Sequence, residues 1–127
     1  MKRILNIFIP DQVSRERLAK RLCLEFDNNM QDWEYEVSNP NRLDEFIDEY
    51  DKKKTTQNEK EILMEIILDS SNDLCIENER NFQTKYLKRL IERLEKNSDL
   101  HIGTIKYWTE NKFEISKWLN NEIKINF

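Results

Sequence analysis

Apolar residues recur along this chain at helical spacing, and polar clusters break them into short blocks. Leu18, Ala19, Leu22, Cys23 and Phe26 fall on one face of a helix that the pattern starts near Ser14, a good capping residue. Leu43, Phe46, Ile47 and Tyr50 follow at i, i+3, i+4 and i+7, directly after Asn39-Pro40, a capping side chain followed by proline at the first turn. Asp44, Glu45, Asp48, Glu49 and Asp51 fall on the other side of that second helix. A third helix is predicted from about Asn58 to Leu74. Ile62, Leu63, Ile66, Ile67 and Leu74 share one face there, and Met64 and Leu68 carry the apolar surface around the back, as on a central helix.

A fourth helix is predicted from about Glu79 to Lys96, with Phe82, Tyr86, Leu87, Leu90, Ile91 and Leu94 inward and Lys85, Lys88, Arg89 and Lys96 outward. Asn97-Ser98-Asp99 ends it. A short helix over Leu100 to Trp108 and a last one from Phe113 to about Asn121 complete the series. Residues 27–39 and Lys52 to Gln57 read as connecting segments. Residues 4–9, β-branched and aromatic up to Pro10, read as a short strand or an apolar arm. Ile123 to Phe127 alternates with period two and could pair with it. The expected fold is therefore mainly α: one domain over residues 1–127, a compact bundle of five or six helices, with a short two-stranded pairing of the termini as an optional addition.

Composition narrows the class. The 127 residues hold one glycine and two prolines, too few for the turns of a sandwich or barrel or for a glycine-rich phosphate loop. No run approaches the length of a membrane span, and the N-terminal apolar stretch lacks the length and cleavage site of a secretion signal. Cys23 and Cys75 lie in apolar helical patterns and read as buried free thiols. A reducing cytoplasm is the simplest compartment.

Catalytic chemistry finds little to build on. His101 is the sole histidine and no nucleophile accompanies it in sequence, so it reads as a helix-start or surface residue. The two cysteines stand too far apart for a zinc motif, and Asp44, Asp48 and Asp51 read as solvated rather than as magnesium ligands. No catalytic, metal-binding or cofactor-binding residue is assigned, and a non-enzymatic binding role is expected.

The distribution of charge is the informative feature. The chain as a whole carries −4, yet residues 25–51 hold ten acidic residues against the single Arg42, a net of −9. Trp33 and Tyr35 sit among these carboxylates. Rigid rings with surrounding charge suit an interface that steers a basic partner. Asp32, Trp33, Glu34, Tyr35, Glu36, Asp44, Asp48 and Asp51 are the candidate partner-binding residues. The competing expectation is that the Lys52-Lys53-Lys54 run and the basic helix at 85–96 fold against the segment and neutralise it. The basic face of Lys85, Lys88, Arg89 and Lys96 offers an alternative, a nucleic-acid-binding regulator, although Glu92 and Glu95 interrupt it.

Three stretches carry a resemblance: Met30 to Val37 leading into a helix, the apolar Leu63 to Asp73, and Leu100 to Trp108 after the break at 97–99. Over roughly residues 25–119 the chain resembles immunity proteins of contact-dependent inhibition and related polymorphic toxin systems. That resemblance implies a cytoplasmic protein that binds one cognate toxin domain and blocks it, with a nuclease the expected toxin. Such a toxin carries a basic surface that an acidic patch can occupy where phosphates would sit. Direct nucleic-acid binding is not implied.

Overall fold

A computed structural model describes residues 11–124. Among these residues the fold is helical and contains no strand, as the apolar spacing predicts. The segment 4–9 and most of the C-terminal stretch lie outside the described residues. Ile123 and Lys124, at the edge of that stretch, are not in a strand.

The elements are α1 (Gln12–Leu22), α2 (Trp33–Glu36), a 3-10 turn (Pro40–Arg42) that runs into α3 (Leu43–Asp51), α4 (Gln57–Asn81), α5 (Leu87–Lys96), α6 (Ser98–Glu110) and α7 (Ser116–Glu122). They gather into two units, one over residues 11–70 and one over 71–124. α4 begins in the first unit and ends in the second.

In the first unit, helix starts are set by side-chain caps. Asp11, not Ser14, caps α1. Its carboxylate accepts from Val13 N–H at 3.1 Å and from the Ser14 hydroxyl at 2.7 Å. Ser14 is then a buried donor to the cap. The Ser14 hydroxyl holds the Asp11 carboxyl below its ordinary pKa. Asn39 caps the turn into α3 as the sequence predicts, accepting from Asn41 N–H at 2.9 Å with Pro40 next. α4 begins with a reciprocal capping box. Glu59 N–H donates to Thr56 Oγ1 at 3.1 Å, and Thr56 N–H donates to the Glu59 carboxylate at 2.9 Å. Leu18, Leu22, Leu43, Phe46, Ile47, Tyr50 and the apolar residues of α4 from Ile62 to Leu68 are buried, in keeping with the apolar faces read from the sequence. Cys23 departs from that face. α1 ends at Leu22, and Cys23 turns to φ 54°, ψ 50°, so that Leu24 N–H can close on the Ala19 carbonyl at 2.8 Å. Its thiol is exposed.

In the second unit α4 breaks at Asn78, whose backbone is extended (φ −159°, ψ 80°). Asn78 Oδ1 accepts from Asn81 N–H at 3.1 Å and so caps a new helix. That helix passes through a π-helical stretch, Phe82–Tyr86, into α5. The two helices expected on either side of residue 78 are thus present, joined end to end. α5, α6 and α7 pack on one another. Phe82, Leu90, Leu94, Ile105, Trp108, Ile115 and Leu119 are buried.

Candidate functional site

The segment after α1 is pinned to the first unit at several points. Trp33 is fully buried, and its indole N–H donates to the Glu25 carbonyl at 2.6 Å. Phe26 meets that ring edge-on at 6.0 Å. Beside it, Arg15 of α1 forks onto Glu34 at 2.6 and 2.5 Å. A spare guanidinium N–H reaches the Gln31 carbonyl at 3.3 Å. Trp33 and Glu34 are consecutive and both point inward, so the residues a turn apart on the other side of α2 point outward. Those are Asp32, Tyr35 and Glu36, related as i, i+3 and i+4, with Glu36 N–H bonded to the Asp32 carbonyl at 3.0 Å.

These three residues line an open, shallow depression of the surface together with Asp27, Asn29, Met30 and Gln31. Part of its lining is a turn built by Asp27. Its Oδ1 accepts from Asn29 N–H at 2.9 Å, and its carbonyl accepts from Met30 N–H at 3.0 Å. Asp27, Asp32 and Glu36 make no ion pair among the described residues, and Tyr35 is 67% exposed. The result is a concave, acidic surface with one open phenol ring and one thioether.

Trp33 and Glu34 are corrected by this geometry. They were expected on the contact surface, but a buried indole and a buried carboxylate held by Arg15 have no face left for a partner. Their work is to position the turn that carries Asp32, Tyr35 and Glu36. On α3, Asp44, Asp48 and Asp51 are exposed, opposite the buried Leu43, Phe46, Ile47 and Tyr50. Asp48 makes no ion pair among the described residues.

Glu49 was expected outward with them and is instead buried. Arg21 of α1 reaches it at 2.7 Å and also reaches Glu59 at 3.0 Å. Lys52 meets Glu49 at 2.9 Å, and Arg17 approaches Glu59 at 3.5 Å. Burial alone would raise both carboxyls. Hydrogen bonds from Lys52 and Arg21 to Glu49, and from Arg21 and Thr56 N–H to Glu59, outweigh it and hold both below the ordinary carboxylate range. Charge in the acidic segment is therefore sorted. Glu34, Glu45 and Glu49 are paired by Arg15, Arg42 and Arg21 with Lys52, while Asp27, Asp32, Glu36 and Asp48 face outward.

Elsewhere the chemistry is structural. Lys85, Lys88 and Lys96 are exposed and Arg89 is half-buried. Lys85 and Arg89 lie 5.1 and 5.6 Å from the centre of the Tyr86 ring. His101, read from the sequence as a helix-start or surface residue, is instead fully buried in α6. Cys75 is buried, which pushes its thiol up to about 12. Among the described residues no three His, Cys, Asp or Glu side chains gather as metal ligands would, and no helix is long and apolar enough to cross a membrane.

Asp27, Met30 and Arg15 are not among the partner-binding residues read from the sequence. A turn signal was present in Asp27-Asn28-Asn29, but nothing local links Arg15 to Glu34, which lies 19 positions away. Comparison with known protein families, curated proteins and solved structures finds no match.

Proposed function

We propose that this protein is a cytoplasmic binding protein that neutralises a cognate toxin domain, a nuclease with a cationic surface, by docking it on the outward carboxylates and Tyr35 of the first unit. One observation carries the reading: Asp27, Asp32 and Glu36 lie exposed beside an open aromatic ring and make no ion pair among the described residues, while the neighbouring Glu34 and Glu49 are neutralised from within. Basic side chains of the chain cover the second set and leave the first to solvent. A single exposed ion pair contributes no more than about 1 kcal/mol. Several carboxylates of one sign around a concave wall do more, because they speed encounter with a cationic surface and fix its orientation. The resemblance to immunity proteins supplies the toxin class, and Asp48 of α3, exposed between Asp44 and Asp51, extends the acidic surface.

The test begins with the reading frames adjacent to the gene for this chain: the reading requires that one encode a toxin-like domain, which is then purified in a catalytically dead form. Reversal of Asp32 and Glu36 to Lys, or of Asp44, Asp48 and Asp51 together to Lys, should slow association roughly tenfold or more at low ionic strength, and less at high salt. Wild-type protein should protect cells that express the active domain, and the reversed variants should protect them less. Unchanged association by both sets of variants, with the fold intact by circular dichroism, overturns the proposal.

A further inference from the structure

We draw no further inference here: the strongest candidate, the surface patch where the exposed Tyr107 ring packs on the half-buried Phe113 between α6 and α7, is an apolar face, and nothing in the structure shows what covers it.

Discussion

Arg15 and Glu34 meet inside the first unit with 4% and 8% of their side chains exposed, and the guanidinium clasps the carboxylate with two parallel hydrogen bonds. The same guanidinium donates to Gln12 Oε1 at 3.0 Å and to the Gln31 carbonyl. Both charges are therefore out of water, and each is the other's principal compensation. The pair ties α1 to the turn of helix that displays Tyr35 and Glu36.

Removing one partner of a buried pair strands the other. Glu34→Ala should destabilise the protein by roughly 3–5 kcal/mol, read as a fall in the urea midpoint with little change in slope. The double replacement Arg15→Met with Glu34→Leu should recover much of that loss, because apolar side chains leave no buried charge behind. A Glu34→Ala midpoint within error of wild type would show that water reaches the pair.

Much of the fold was legible because the deciding information is local. Leu43, Phe46, Ile47 and Tyr50 repeat at helical spacing, Asn39-Pro40 announces a helix start, and a helix apolar on most sides predicts the buried α4. What escaped depends on distant partners. Within Trp33-Glu34-Tyr35-Glu36 no period tells which residues face in. Arg15 decides it from α1, as Arg21 decides that Glu49 rather than Asp48 is drawn inside. The choice of cap at α1 was ambiguous for a different reason. Asp11 and Ser14 are both good caps three residues apart, and the hydroxyl of one serves the carboxylate of the other. A net count of −9 over residues 25–51 thus overstated the free charge, since it could not subtract ion pairs made by side chains far away in the chain.

Acid should loosen the first unit before other damage occurs. Glu49 and Glu59 have folded-state pKa values below those of the unfolded chain, near 4.3 for a free glutamate. A depressed carboxyl contributes stability that is complete above the unfolded pKa and is lost as pH falls through the folded one. Unfolding free energy should be nearly level from pH 7 to about pH 5.5 and should fall steadily below about pH 4.5. Arg21→Met, which removes the shared cation, should lower stability at neutral pH and flatten that acid slope. Urea titrations at several pH values measure both. An acid slope unchanged in Arg21→Met would mean that other carboxylates drive the transition.

The start of α4 offers a measurement that needs no partner. Thr56→Ala removes the hydroxyl that accepts from Glu59 N–H and should cost about 1 kcal/mol. Thr56→Ser keeps the acceptor and should cost much less. Thermal midpoints of the two variants separate the cap from a simple loss of a methyl group, because both lack the methyl and only one lacks the oxygen. Equal midpoints would remove the capping box from the account of this helix.

The two cysteines should report on the two units separately. Cys23 is exposed at the end of α1, whereas Cys75 is 5% exposed within α4 and its thiol is pushed up to about 12 by burial. Thiolate is the reactive form, so both access and ionisation protect Cys75. A disulfide reagent at pH 8 should label one thiol per native chain at once and the second only on unfolding. Peptide mapping should place the first label at Cys23. Cys23→Gly should then leave no fast-reacting thiol, and should also stabilise the chain by up to about 1 kcal/mol, because glycine accepts the positive φ at that position without a Cβ clash. Prompt native labelling of Cys75 would mean that the middle of α4 opens readily, and the slow phase measured in Cys23→Gly gives the free energy of that opening directly when reclosing is fast compared with labelling.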